Sequence, residues 1–497
     1  MGKSKAYAKG QDIDKELVIA KCRVHFRPKE DWNGKDFGFD WMRVKDTGPL
    51  GDNNPYEDIV ARQYLKAPYT EENLVLDLNK GNGQFERDEA LYEKLEGDYF
   101  GRNNDMNRVL HYYPSWLSLH PAMASSDPDH PYNGEAQLRL YIEIVENGEA
   151  PDRLEFEDND FYEITPKTIS NLKGKGSHWW SDGEKTTITV KCKKPCPFDQ
   201  MLKVYAMDKK SDRGRLSGKL RVWSNTSGHL KKLKVLFVHV TTPIPVIPME
   251  EIVITSKRAP ASNTSGTGAT TKGKIVPLPP RQKAEPPEPV APTPPESNND
   301  GPTGDSRNQR ELITRYLHQA LISAEVSDEK LSLKGDANFD FGGCYRHAGG
   351  IIGYYEKVQG KPNPQKPKEG FEDLTGYLYR KLQETLENKD QYAHYKRVFF
   401  IDDTGGGISG DTGNKLSPDN GYCVGDNQII FKDYSDPTVT HEILHSLGLP
   451  HSFTNSKADK NAFCTYEYNK TENIMDYSSD RYSLWHWQWV IANKNVK

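Results

Sequence analysis

From Thr440 the chain reads THEILHSLGLPHSF, which sets His441, Glu442, His445, Gly448 and His451 in the spacing H-E-x-x-H-x-x-G-x-x-H. On a helix, residues four apart lie about one turn along the same face, so His441 and His445 can direct both imidazoles at one ion. Glu442, rotated about 100° from His441, can reach a water on that ion without being a ligand, which suits a general base. Gly448 takes a positive φ at no steric cost, so it can end the helix and turn the chain until His451 completes the set. Three histidines leave a fourth position for water, the pattern of a catalytic rather than a structural zinc site. One zinc ion held there would bring the pKa of water towards about 7 and polarise a scissile carbonyl.

Met475 follows His451 by 24 positions in NIMDYS. Motif and methionine together resemble the metzincins, zinc endopeptidases whose Met-turn lies beneath the metal. The likeness covers the motif, Met475 and, more loosely, the chain from about Arg310 onward. It implies a twisted sheet and backing helix above a cleft, with a smaller C-terminal part below. Ser452 after the third histidine resembles matrixins, whereas Met475-x-Tyr477 resembles astacins and serralysins, in which that tyrosine binds zinc or stabilises the oxyanion. Tyr477 is therefore expected to donate a hydrogen bond to the developing oxyanion. GYCVGDNQIIFKDY occupies the place of the family's edge strand, where an extended substrate pairs; Asn427, Gln428, Ile429 and Ile430 are the expected pairing residues, an interior strand being the competing reading.

The elements that must position these groups are written around them. Apolar residues at helical spacing predict a helix over Arg310 to Ser323 and another over Phe371 to Leu386, while Arg397 to Asp402 and Asn427 to Phe431 read as buried strands. The expectation is an α/β metzincin-like catalytic domain over 310–497. Residues 256–309 are dense in Pro, Ser, Thr and Gly and almost free of aromatics, and read as a disordered, flexible linker between two independent folded parts. Residues 1–255 read as an all-β, sandwich-like region, with strands expected at Glu16 to Phe26, Gln137 to Val145, Lys185 to Lys191, Met201 to Asp208, Gly218 to Trp223 and Leu233 to Thr242. Residues 34–126 suggest no particular fold. At 497 residues the chain is therefore expected to be multidomain.

Other candidates carry less. Asp336, Asn338, Asp340 and Gly342 mimic the opening of a calcium loop but lack the later bidentate carboxylate, so a polar turn is favoured over a structural calcium. Asp402 to Asn414 can hold calcium or form a mobile loop over the cleft, the latter being preferred. Cys192 and Cys196 lack metal-site spacing, His486 is expected to pack within a C-terminal helix, and Cys423 and Cys464 can be bridged or reduced.

With 66 basic and 71 acidic residues interspersed to a net charge of -5, nucleic acid and anionic membranes are not expected as partners. No apolar run spans a bilayer, and the mean hydropathy is -0.81. The N-terminus lacks the apolar core of a signal peptide. The stretch Cys22 to Gly48 resembles the start of multidomain bacterial effectors delivered by type VI or related contractile injection systems. That resemblance implies a toxin made in the cytoplasm and secreted or injected without a signal peptide. Its N-terminal region would handle targeting or loading through a secretion-apparatus component, and an inhibitor or immunity protein would be a further partner. The expected activity is zinc-dependent endopeptidase cleavage of proteins or peptides. One alternative is an adhesin-like, glycan- or surface-binding protein, with Trp179 and Trp180 docking a sugar and the peptidase cutting glycoproteins; another is a non-catalytic zinc site.

Overall fold

The computed structural model of the chain describes residues 22–45, 50–60, 88–100, 112–121, 134–144, 151–170, 172, 179–180, 186–207, 214–244, 300–340, 343–346, 352–353, 357–358, 361–362, 372–408, 416–454, 456 and 459–497. Mixed architecture results, mostly strands in several sheets with a few helices. In the N-terminal half, Cys22–Pro28, Glu135–Ile144, Thr187–Cys192 and Tyr162–Thr165 form one sheet, extended by Trp179–Trp180. A second sheet runs Gly38–Asp40, Ser115–Ser118, Arg215–Val222, Gln200–Met207, Arg153–Phe156 and Thr168–Ser170. Their inner faces share one core that includes Val24, Phe26, Leu138, Leu140, Val204 and Leu220. Leu138, Leu140, Ile142 and Ile144 are buried at every second position, the period of a half-covered strand. The face-to-face pairing was the expected one, although Glu16 to Lys21, part of the first expected strand, lie outside the described residues.

The sheet that carries the candidate site has six strands: β1 (Lys231–Pro243), β2 (Asp300–Thr303), β3 (Ile322–Ser332), β4 (Lys396–Ile401), β5 (Gly421–Val424) and β6 (Asn427–Phe431). Its order is β3–β1–β4–β6–β5, parallel except for β5, with β2 joining the far end of β1 antiparallel. The described helices include α1 (Glu89–Phe100), α2 (Gln309–Leu317), α3 (Leu374–Thr385), α4 (Thr438–Ser446) and α5 (His486–Lys494). β1 is apolar on both faces because both are covered. Leu233, Val235 and Phe237 face α2, α4 and α5, whereas Leu236, Val238 and Val240 face α3.

Four expectations change here. Leu233 to Thr242, read as the last strand of the N-terminal β-region, is the central strand of the C-terminal sheet, pairing with β3 over eleven register positions and with β4 over six. Residues 300–309, read as linker, form β2 and lead into α2, and Asp300 pairs with Pro243; residues 245–299 lie outside the described residues. The two halves are not independent, since Met42, Tyr56, Tyr99 and Trp116 share one core with Leu444, Met475 and Trp489. Finally, the helix expected over Arg310 to Ser323 stops at Leu317: a 3-10 turn over His318–Ala320 and a left-handed Leu321 (φ 57°) redirect the chain into β3. Leu321 and Ile322 still reach the same core, which is why their spacing looked helical. The second helix falls within its expected span, three residues shorter at the start and one at the end. All six cysteines are free thiols, so Cys423 and Cys464 are not bridged.

Candidate metal centre

Helix α4 buries Val439, Ile443 and Leu444 against the sheet and turns His441 and His445 to the opposite side. Its C-terminus closes as the chemistry of glycine predicts. Gly448 has φ 84°, its N–H donates to the His445 carbonyl at 2.9 Å, and Leu449 N–H reaches back to the Leu444 carbonyl at 3.1 Å, the Schellman pattern. Asn495 Nδ2 donates to Leu447 O and Asn461 Nδ2 to Gly448 O, each at 2.9 Å, so the remaining end carbonyls are satisfied. His451, three residues on, returns to the site.

The three imidazoles converge: His445 Nε2 lies 3.0 Å from His441 Nε2 and 3.1 Å from His451 Nε2. His441 Nδ1 is 2.7 Å from the Ile474 carbonyl, and His445 Nδ1 is 2.7 Å from the Leu449 carbonyl. A carbonyl only accepts, so both Nδ1 atoms carry protons and both Nε2 atoms present lone pairs to each other. Lone pairs at that separation repel unless a cation lies among them. Two nitrogens on a tetrahedral zinc at about 2.0–2.1 Å stand about 3.3 Å apart, so the spacing fits the ion. Burial, followed by the neighbouring imidazoles and Arg481, holds the pKa of His441 far below its ordinary value. Burial alone lowers that of His445, and burial with His445 and Arg481 brings His451 down to about 3. All three are neutral, metal-competent donors at neutral pH. Among the described residues these three form the one His/Cys/Asp/Glu group able to hold a metal ion.

The turn that carries Met475 is built around Asp476, whose buried carboxylate accepts from Asn469 N (2.9 Å), Thr471 N (2.8 Å), Thr471 Oγ1 (2.6 Å) and Tyr477 N (2.7 Å). Asn473 Oδ1 accepts from Met475 N at 2.9 Å and Asn473 is doubly bonded to Gln488 of α5. The Met475 carbonyl accepts from Ser452 N at 2.9 Å, and Met475 itself is fully buried. Two ligands are thereby tied to one turn, His441 through Ile474 and His451 through its neighbour Ser452. Asp476, Asn473, Gln488, Asn461 and Asn495 were not singled out in the sequence; only the adjacency of Asp476 to Met475 pointed to any of them.

Tyr477 is 49% exposed and its hydroxyl lies 2.9 Å from His451 Nε2, on the open side of the site. Glu442 is 7% exposed on α4, and its charge is felt by Arg481 and by the Cys423 thiol on β5, which burial first of all pushes up to about 11. Asn427, Gln428, Ile429 and Ile430 do not form an edge: they lie in β6, between β4 and β5, and Ile429 and Ile430 are fully buried. Among the described residues β5 is the last strand on that side of the sheet, as β3 is on the other. Gly425, at φ 60°, and Asp426 make a two-residue hairpin that folds β5 outside β6, a turn legible in the sequence Val424-Gly-Asp-Asn427.

The weaker candidates resolve locally. Asp336 accepts from Asn338 N and Nδ2 and from the Tyr377 hydroxyl, the arrangement of a polar turn; Gly342 is outside the described residues. Within 402–414, Gly405–Ile408 pairs with Leu416–Asp419 and Asp403 is ion-paired with the buried Arg346, so the described part is a pinned hairpin rather than a mobile loop. Cys192 accepts from Asn225 Nδ2 at 3.3 Å in the sandwich core, and His486 stacks on Trp116 with ring centroids 3.8 Å apart. No protein-family model and no curated protein matches this chain.

Proposed function

We propose that the chain is a zinc-dependent endopeptidase of the metzincin type. The observation that carries the reading is the convergence of three neutral imidazoles whose Nδ1 atoms on His441 and His445 are fixed by backbone carbonyls, leaving the Nε2 lone pairs aimed at one point. A buried Met475 beneath them, a sheet above and a helix carrying two ligands accord with the fold that the sequence resemblance implies. The ion, held by His441, His445 and His451, would lower the pKa of water and polarise the scissile carbonyl. Glu442 takes a proton from the attacking water and passes it to the leaving amine. Tyr477, half exposed beside His451, donates its hydroxyl hydrogen to the carbonyl oxygen as negative charge develops there. β5, the outermost described strand beside β6, is in place of β6 the strand to which an extended substrate would add.

The test uses the whole chain, because residues 310–497 lack β1. Metal content by mass spectrometry and cleavage of an unfolded protein are compared for the wild type and Glu442→Gln. One zinc in each, with cleavage falling about 100-fold or more in the variant, is expected. Absence of bound metal, or equal cleavage by both, would sink the reading. The delivered-effector reading, with its immunity partner, is proposed on sequence resemblance; unchanged export from cells lacking a contractile injection apparatus would remove it.

A further inference from the structure

Arg481 lies just beyond the Met-turn. Its Nη1 donates to the Asp476 carbonyl at 3.0 Å and its Nη2 to Ser435 Oγ at 3.1 Å, so the guanidinium bridges the turn below the metal site and the residues that lead into α4. Its Nε is buried without an acceptor, and among the described residues no carboxylate lies within 4.0 Å of it. The Asp476 carboxylate, whose charge Arg481 feels, makes its hydrogen bonds to four other donors, and the adjacent Asp480 is exposed and not ion-paired with Arg481. The charge nevertheless acts on His441 and His451, and feels Glu442 and Tyr477. A guanidinium is always charged and presents five donors, of which two are used here. A partly buried guanidinium with no carboxylate in direct contact has donors to spare, and beside a proposed cleft it becomes a receptor for an incoming carboxylate.

We propose that Arg481 determines specificity, selecting peptides that carry an acidic side chain close to the bond cut. This rests on the peptidase reading above. A role limited to tying Ser435 to Asp476 would be indifferent to substrate charge.

The experiment uses the full chain and pairs of C-terminally amidated peptides that differ only by Asp against Asn, or Glu against Gln, at each position within three residues of a cleaved bond. The readout is the acid-to-amide ratio of kcat/KM, which structural damage alone does not move. At one position or more the wild type should favour the acid by about tenfold or more. Arg481→Ala should bring the ratio to about one, and Arg481→Lys should keep part of it. A second readout needs no turnover: in the Glu442→Gln background, fluorescence anisotropy should show the same preference in binding, lost on adding Arg481→Ala. A wild type that cleaves without acidic preference, or a preference that survives Arg481→Ala, overturns the assignment while leaving the peptidase standing. Arg481-dependent binding of acidic peptides without any cleavage would overturn the peptidase reading and keep the cation site. If Arg481→Ala fails to fold, the wild-type ratio and Arg481→Lys still decide, and a preference found only for free C-terminal carboxylates in non-amidated controls would replace the side chain by the chain end and overturn the proposal as stated.

Discussion

If β1 is the centre of the C-terminal sheet, a chain cut between β1 and β2 should stay in one piece. A site for a sequence-specific protease placed after Thr270 leaves an N-terminal fragment that ends beyond β1 and a C-terminal fragment that supplies β3 and β4 on its two sides. Leu233, Val235, Leu236, Phe237, Val238 and Val240 of β1 are each 4% exposed or less. At roughly 1.5–3 kcal/mol for each buried side chain, these six contribute roughly 9–18 kcal/mol to holding the fragments together. Backbone pairing with β3 and β4, and the packing of Tyr56, Tyr99 and Trp116 against the C-terminal core, add to this. The opposing cost of association is about 4–15 kcal/mol, so the sum favours the complex. After cleavage, size-exclusion chromatography and native mass spectrometry should show one species of full mass, separating only in denaturant. Two fragments that part at micromolar concentration without denaturant would refute the assignment of β1, as would a folded, metal-binding protein made from residues 310–497 alone.

Asp476→Ala leaves four donors without their acceptor and should cost about 2–5 kcal/mol in chemical denaturation. It should also weaken metal affinity by about 10–100-fold through Ile474 and His441, and an unchanged midpoint and affinity would show that the Met-turn does not depend on it. Gly448→Ala places a Cβ at φ 84° and 2.9 Å from Asn495 Nδ2; a loss of about 1–2 kcal/mol is expected, and an isostable variant would contradict the left-handed turn. In metal-free protein, stability should fall as pH drops below 6.5. The three site histidines have folded-state pKa values below that of the unfolded chain, so from 6.5 down to about 3 for His451 only the unfolded chain takes up their protons. Asp40, raised by burial to about 6, acts oppositely between about 6 and 3.8, as one group against three. Denaturant titrations that give equal stability at pH 7.5 and 5 would contradict neutral burial of the imidazoles.

The three-histidine cluster was legible because its parts are neighbours in sequence. His441 and His445 share one helix face, and the glycine that ends the helix is identified by its own chemistry. Tyr477 and Met475 were found because they follow at short range. The sheet was not legible in the same way. β1 adjoins the sandwich strands in sequence but pairs with residues 91 and 161 positions later, and no local pattern encodes such a partner. Its continuous apolar run, in contrast to the alternation of Glu135–Ile144, was the local sign that both of its faces are covered. Residues 34–126 suggested no fold because their described aromatic residues are divided between two cores, Phe37 and Phe39 in the sandwich and Tyr56, Tyr99 and Trp116 with residues of the other half of the chain.

The core that Tyr56, Tyr99 and Trp116 share with Leu444 and Met475 lies behind the candidate metal site. Arg43, 3% exposed and stacked on Trp41 with its guanidinium 3.4 Å from the ring centre, forms an ion pair with Glu472, two residues before the carbonyl that fixes His441. Asp40 accepts the backbone N–H of His486 at 2.9 Å, adding a carboxylate where the positive end of the α5 dipole lies, and Tyr56 accepts from Trp485 Nε1 at 2.7 Å. Gly34, at φ 77°, lets the N-terminal chain close on the Tyr482 carbonyl, where a Cβ would lie 1.7 Å away. Metal ligands must be held to about 0.5 Å, and that precision comes from packing behind them. Here the packing behind the Met-turn belongs to residues some 430 positions earlier in the chain, so whatever else the N-terminal half binds, it is also part of the scaffold that places His441. Charge-preserving Arg43→Lys should then loosen metal binding more than it lowers global stability, whereas a merely appended N-terminal module would leave the metal affinity where it was.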